Sequence, residues 1–327
     1  MRILVISNQL SNKNNSVVNP VVKNINKKLS QKGLSIEEYC VDVQNGLVTA
    51  YIKLFVFLLL LKFKNRYDIY HVHFGGIQGL ITAALHRKKT VISFHGTDLH
   101  GGSPLGFAQK LKSRIIRASS LASVYLCNRC TVVSKNLIDF IPDSMCGKIN
   151  VIPTGVNEEN FSPISKEVAR KSLNIDSDTT YFLFSDISNS TVKRVDIAEK
   201  SIELFRDSGT NAKLLKMSQV PYDRVPLYLY ASDYLLITSD KEGSPNIVKE
   251  ALFCGLSVIS TNVGDVKEYV DYTGNGLILK SNDPKEIAGQ ISQLCLNGPS
   301  KSMKYDKNIL SLDYIADKYM GIYEKLK

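Results

Sequence analysis

Short apolar runs bounded by polar turns recur along this chain, and longer stretches with helical spacing separate them. Runs at 2–7, 34–42, 67–74, 90–94, 131–134 and 149–152 predict buried strands, because a strand covered on both faces reads as continuous apolar sequence. Between them 17–32, 45–63, 79–86 and 104–120 predict helices, with another from Lys135, and Gly33 stands where the first should stop. After the turn Pro153-Thr-Gly-Val-Asn157 and a linker at Asn160-Phe-Ser-Pro163 the pattern starts again. Strands at 181–185, 213–217, 234–238 and 256–260 alternate with helices at 194–205, 225–231, 245–255, 283–296 and 313–326. Such alternation predicts an α/β architecture of parallel sheets wrapped by helices. Two series in 327 residues predict two domains, since that length can fill two separate cores.

Composition changes this picture little: 44% hydrophobic and 22% charged residues suit an ordinary globular protein. Six cysteines without dense spacing fit a reducing compartment better than a disulfide framework. Cys127-Asn-Arg-Cys130 has metal-ligand spacing, but no second pair completes four ligands. Cys130 also opens the apolar run Thr131-Val-Val133, so a core cysteine is the better reading and no metal is expected. The opening MRILVIS is a strand pattern without the charged leader and long apolar core of a secretory signal, which implies a cytoplasmic location.

Charge changes the picture more. Residues 1–160 carry 20 Lys+Arg against 9 Asp+Glu, whereas 161–327 carry 21 against 22, so the net +10 sits in the first half. That half should face something anionic. Nothing resembles an RNA- or DNA-binding module, so nucleic acid ranks below an anionic membrane surface and a phosphorylated substrate. The eight apolar residues 54–61, flanked by Lys53, Lys62, Lys64 and Arg66, are too few to span a bilayer. A helix buried against the sheet is expected there, with interfacial docking as the alternative. In 104–120, Lys110, Arg114 and Arg117 form a basic stripe, with Phe107, Ala108, Leu111, Ile115 and Ala118 on a different face. Such a helix can lie on anionic lipid, or simply present a solvated charged face.

Ligands of parallel sheets bind outside the carboxyl ends of the strands. In the first half the loop at 7–15, Gly75-Gly76 and His95-Gly-Thr-Asp98 stand there. The loop lacks glycine, so it is no G-x-G-x-x-G phosphate loop, and a dinucleotide dehydrogenase is disfavoured. His71 and His73 share one face of their strand and read as hydrogen-bonded structural histidines. His95, in a tight turn after its strand, is equally open to a functional role.

The densest chemistry lies in 231–276. A polar loop, Ser239-Asp-Lys-Glu-Gly-Ser244, leads to Pro245, which fits a first helical position because its missing N–H is unpaired there anyway. Free N–H groups at a helix start suit an anion such as phosphate, and Gly243-Ser-Pro-Asn246 lets a ligand approach the backbone. Glu242 precedes the helix, and Glu250 lies inside it, one to two turns from the start. Two acids bracketing an anion-binding turn suggest a ligand with phosphates between hydroxyl-rich ends. A capped helix with two solvated glutamates fits the spacing equally well. Lys193, after the 181–185 strand, adds a cation at the same end of the sheet.

Glu242-Gly-Ser-Pro-Asn-Ile-Val-Lys-Glu250 resembles the E-x7-E motif of the retaining glycosyltransferases of family 4, which have the GT-B fold. Other stretches are similar in the same order: Tyr67-Asp-Ile-Tyr-His-Val-His73, Ser93-Phe-His-Gly-Thr-Asp98, Val151-Ile-Pro-Thr-Gly-Val156, Ala231-Ser-Asp233 and Ser260-Thr-Asn-Val-Gly-Asp265. The final helix with Tyr323 joins them. The resemblance implies two Rossmann-like domains with parallel sheets facing across a cleft. Residues 1–157 would bind the acceptor, 158–310 the nucleotide-sugar, and a helix at 311–327 would cross back to the first domain.

It further implies a retaining, metal-independent hexosyltransferase without a cofactor. The enzyme would move a sugar from a UDP- or GDP-sugar to a lipid-linked or surface-polysaccharide acceptor at the inner membrane face. Position by position, Glu250 matches the glutamate that accepts from the ribose hydroxyls, and Glu242 the one that holds donor-sugar hydroxyls near the anomeric centre. Gly243, Ser244, Pro245 and Asn246 match the turn whose backbone meets the sugar. Lys193 matches the lysine on the diphosphate, with Arg194 beside it to offset Asp186. His95 matches a histidine that reaches the reacting centre, with Asp98 to orient it. Lys110, Arg114 and Arg117 would lie on the acceptor or membrane side. Retention is attributed in this family to same-face attack, so no protein nucleophile is implied. The first loop lacks the glycine common there, and Ser185-Asp186 stand where an arginine is frequent. Two other classes remain open: a nucleotide-sugar epimerase on the same fold, and a non-catalytic sugar-nucleotide or membrane-binding protein.

Overall fold

The continuous apolar runs form strands because helices cover both faces of the sheets they build. The computed structural model describes residues 1–12, 15–43, 46–101, 106–186, 191–297 and 305–326. The chain divides into two units, Met1–Gly155 with Leu312–Lys327, and Val156–Ser311.

The first unit contains β1 (Arg2–Asn12), β2 (Asn15–Val18), α1 (Pro20–Gln31), β3 (Ser35–Val41), α2 (Leu47–Lys62) and β4 (Ile69–His73). It continues through α3 (Gly76–His86), β5 (Thr90–Phe94), α4 (Thr97–His100), α5 (Phe107–Leu126), β6 (Arg129–Val132) and β7 (Ile149–Val151). β1 lies between β3 and β4 and parallel to both, and β5, β6 and β7 extend the parallel sheet. Its Ile3, Leu4, Val5 and Ile6 are all buried.

Several expectations are corrected here. β1 runs on past Ser7 and turns back as the antiparallel β2, so most of the expected loop at 7–15 is paired strand. Positions 13 and 14 of that loop lie outside the described residues. α1 starts at Pro20 rather than at 17, because the Asn19 side chain accepts from the Val21 N–H at 3.0 Å and caps the helix. The segment after Ser134 forms two 3-10 turns, Lys135–Phe140 and Asp143–Lys148, not an α-helix. α2 is buried on one face only, at Ala50, Leu54, Leu58 and Leu61.

α5 meets α3 through small residues. A Cβ on Gly75 would fall 2.7 Å from Ser120 Oγ, and one on Gly79 3.3 Å from Ser123 Oγ. The close approach therefore uses the serine face of α5 and leaves Phe107, Leu111 and Ile115 exposed. The C-terminal helix, Leu312–Glu324, buries Ile315, Ala316, Tyr319, Ile322 and Tyr323 against β1, α1 and β5 of this same unit.

The second unit contains α6 (Lys166–Leu173), β8 (Thr180–Ser185), α7 (Val195–Asp207), β9 (Ala212–Met217), α8 (Val225–Ala231) and β10 (Tyr234–Ile237). Then come α9 (Asn246–Phe253), β11 (Ser257–Ser260), α10 (Val266–Thr273), β12 (Gly276–Ile278) and α11 (Pro284–Asn297). The strands run parallel in the order β12-β11-β10-β8-β9. α6, α10 and β12 carry too few apolar residues to stand out in sequence. Pro245 is the N-cap of α9 rather than its first residue, with φ −69° and ψ 118°.

Candidate functional site

The order of the second sheet reverses at β8, with β9 on one side and β10 on the other. Open parallel sheets bind ligands at the carboxyl ends of strands beside such a reversal. The segments that follow β8, β10 and β11 are tied together there. The Thr238 hydroxyl donates to the carbonyl oxygens of Lys193 and Arg194, at 3.1 and 2.8 Å, and the Asp240 N–H donates to the Val192 carbonyl at 2.9 Å. Arg194 takes a left-handed conformation, φ +52°, to enter α7.

This framework brings Lys193 Nζ to 3.1 Å from Glu242 Oε1, with each side chain about one-fifth exposed. Ser239 donates to the same oxygen at 3.0 Å. Glu250 is buried inside α9 and accepts from the Tyr222 hydroxyl at 3.0 Å. Burial pushes its carboxyl up to about 7, against the lowering pull of Tyr222 and Lys249. An acidic pair of solvated surface glutamates is thereby excluded.

Spacing gave no sign of the residues that hold the turn. Lys249 is buried on α9, and its ammonium donates to Ser244 Oγ at 2.7 Å. Ser244 in turn donates to Asp265 Oδ2 at 2.6 Å. Burial pulls Lys249 down to about 8 while Asp265 and Glu250 oppose it, and burial raises Asp265. The other Asp265 oxygen is buried without a partner among the described residues. Gly264, at φ +55°, lets this loop close on the motif: a Cβ there would fall 2.6 Å from the Gly243 carbonyl. A Lys-Ser-Asp chain thus fixes the Gly243–Asn246 turn from behind. A hollow of about 410 Å³ opens beside it, lined by Ser239, Asp240, Thr261, Asn262, Lys280 and Asn282 among others.

Arg194 is not placed as expected. It pairs with Asp196 at 2.8 Å and with Asp240 at 3.4 Å, so two carboxylates already balance its charge. Lys216, on the neighbouring strand β9, is held above its ordinary value chiefly by its hydrogen bond and ion pair with Glu199, with Asp186 adding a lesser pull.

A second cluster occupies the first unit. His73 Nδ1 lies 3.2 Å from His95 Nε2. His71, fully buried, bonds Ser93 Oγ and the Tyr323 hydroxyl, each at 2.7 Å. Burial and the neighbouring charge of His95 hold His71 down at about 3, and burial with the charges of His71 and His95 lowers His73 well below its usual value. Both are neutral near pH 7. Asp98 does not orient the His95 ring. Its carboxylate accepts from the backbone N–H groups of Gly75, His95 and Gly96, at 2.9 to 3.2 Å, and so fixes the turn that carries His95. Lys110, Arg114 and Arg117 are exposed along α5.

The chain matches two family models, Glycosyltransferase Family 4 over residues 43–160 and Glycosyl transferases group 1 over residues 198–310. It is 25% identical over 244 residues to an uncharacterized glycosyltransferase, MJ1178, of Methanocaldococcus jannaschii, covering 70% of this chain and 66% of that protein. It is 27% identical over 212 residues to N,N'-diacetylbacillosaminyl-diphospho-undecaprenol alpha-1,3-N-acetylgalactosaminyltransferase of Campylobacter jejuni, covering 55% of each. The matched stretches therefore span less than two thirds of those relatives' lengths. Among solved structures, Alr3699/HepE of Anabaena in complex with UDP superposes with a TM-score of 0.66 at 15% identity, over 99% of this chain and all of that one.

Proposed function

The chain belongs to the group 1, family 4 glycosyltransferases of GT-B fold, and from that premise we propose that it transfers a hexose-type sugar, with retention, from a nucleotide-sugar to a lipid-linked or surface-polysaccharide acceptor. The observation that carries this reading is the Lys193–Glu242 pair at the sheet reversal, eight residues before a buried glutamate. A UDP- or GDP-sugar separates the pair's tasks. Lys193 and the start of α9 take the diphosphate, whose negative charge grows as the sugar leaves. Glu242 accepts from the sugar hydroxyls, and Glu250 from the ribose hydroxyls. His95 acts in the transfer step, and no metal or cofactor enters.

UDP in the HepE complex supports a uridine donor. The undecaprenol-linked substrate in the name of the C. jejuni relative supports a lipid-linked acceptor, which would be met at the inner membrane face. Lys110, Arg114 and Arg117 would serve that side, with the protein cytoplasmic and peripheral.

Thermal shifts against a panel of UDP- and GDP-sugars test the donor. A ligand at 100 times its dissociation constant adds about 2.7 kcal/mol of stability. Lys193→Ala should abolish the response to the free nucleoside diphosphate as well. Glu242→Ala should reduce only the additional response that the sugar brings. Transfer assays with a lipid-linked glycan should lose turnover in His95→Ala while donor binding persists. Donor conversion without any acceptor would instead identify an epimerase, and binding without turnover a non-catalytic protein.

A further inference from the structure

α2 is apolar over most of its circumference, broken by Thr49, Lys53 and Lys62, yet only one side of it is buried. A helix of that kind belongs inside a core or in contact with lipid. Val48, Ile52, Phe55, Val56, Leu60 and Phe63 are 44 to 81% exposed. Helical spacing sets them opposite the buried Ala50, Leu54, Leu58 and Leu61. Lys53 and Lys62 border this strip on its two sides. No acid occurs between 47 and 66, where Lys53, Lys62, Lys64 and Arg66 stand.

At the C-terminal end of α2 a hollow of about 290 Å³ lies among Lys62, Asn65, Arg87, Lys88 and Lys89. Lys89 is held by the Asn65 side chain at 2.6 Å and the Tyr67 carbonyl at 3.1 Å. No carboxylate among the described residues pairs with Lys62, Arg87 or Lys88. Arg87–Lys89 lead into β5, whereas His95 follows that strand, so the hollow lies at the opposite end of the sheet from the histidine cluster.

We propose that this face docks on an anionic lipid bilayer, with the α2 strip at the acyl boundary and the basic hollow on lipid phosphates. Charge complementarity names the occupant. On α2 itself only Lys53 and Lys62 border the strip. Although Glu37 pairs with Arg66 at 2.8 Å and Asp42 lines a small hollow beside Lys53, the cations of Lys62, Arg87 and Lys88 leave a net positive rim that fits a surface of anionic headgroups. A second copy fits poorly, because a two-fold contact sets the same cations against each other. With 16 residues, α2 is too short to span, and no helix among the described residues is long and apolar enough to cross a membrane. It lies in the interface plane. The surface is separate from the α5 stripe and does not depend on the transferase reading.

The full chain should cosediment with vesicles of phosphatidylcholine containing about a third phosphatidylglycerol, and bind at least about tenfold less to phosphatidylcholine alone. Val56→Ser with Phe63→Ser should lower vesicle binding about tenfold or more. Lys62→Glu with Lys88→Glu should do the same, chiefly on the anionic vesicles. Both pairs sit on exposed positions, so melting temperature and any nucleotide-sugar response should stay as in the unmodified chain. The proposal is overturned if the unmodified chain binds neither vesicle, or if both variants bind as it does. Loss of binding only on Lys110→Glu, Arg114→Glu and Arg117→Glu would assign docking to α5 instead. A dimer that the α2 variants dissociate, with vesicle binding unchanged, would make the occupant a second copy.

Discussion

Glu250 shows at the scale of one residue how a site is held against stability. Its folded carboxyl titrates near 7 rather than at the usual 4.5 because burial penalises the charge. Between those values the folded chain keeps a proton that the unfolded chain has lost, so stability falls as pH rises through this window. Glu250→Gln should raise the stability at pH 8 by about 2 kcal/mol, read as a higher melting temperature, and should weaken the nucleotide-sugar response about tenfold or more. A variant that melts lower at pH 8 would mean that Tyr222 and Lys249 repay the burial in full. The buried histidines have the opposite pH sign. His71 and His73 are neutral when folded and protonate when unfolded below their usual value of 6.5. Their contribution is complete above that pH and is lost on acidification, at about 1.4 kcal/mol per pH unit for each. Glu250 works against them over most of the same window, so melting curves of Glu250→Gln from pH 7.5 down to 5 should show this slope, and adding His73→Gln should flatten it.

At the scale of elements, the strands and the longer helices were legible because continuous apolar runs and helical spacing are local properties. The E-x7-E segment was legible for the same reason: its two acids, its turn and its helix are contiguous in sequence. The support of that turn was not. Lys249, Ser244 and Asp265 meet through a loop on another strand, and nothing in the spacing of α9 distinguishes a buried lysine from a solvated one. α2 was expected to be buried against the sheet, and one face of it is; its apolar run does not report whether the other face meets a core or solvent. Gly264 tests the loop closure. Gly264→Ala should cost about 2 kcal/mol or more and remove the nucleotide-sugar response, since its Cβ meets the Gly243 carbonyl at 2.6 Å. Gly274, at a similar φ of +62° but with no atom within 4 Å of an added Cβ, is the control. Gly274→Ala should cost only about 1 kcal/mol and leave the response intact. Equal losses for both variants would reduce the Gly264 effect to backbone strain alone.

At the scale of the whole molecule, the C-terminal helix completes the first unit although the entire second unit, Val156–Ser311, lies between them in sequence. Tyr323 bonds His71, Tyr319 lies 3.1 Å from Ser93, and Lys32 pairs with Asp313 and Asp317. Ending the chain at Ser311 should therefore bare the apolar face of β1 and α1 and leave His71 Nδ1 without its Tyr323 partner. The truncated protein should be insoluble or lose its upper melting transition. Tyr323→Phe alone should cost about 1–3 kcal/mol by differential scanning calorimetry. A soluble truncated chain with unchanged melting would show that the first unit closes without this helix.

The sequence by itself determined the α/β class, the two strand-helix series, the motif and the glycine-bearing turn before its helix, because periodicity and contiguous chemistry need no knowledge of distant contacts. Only the tertiary structure decided which charges are used and which are free. It paired Arg194 with Asp196 and Asp240 and kept Lys193 on Glu242. It also turned Asp98 onto the backbone beside His95, and left one side of α2 bare. Burial and pairing depend on segments far apart in the chain, and no local pattern encodes them.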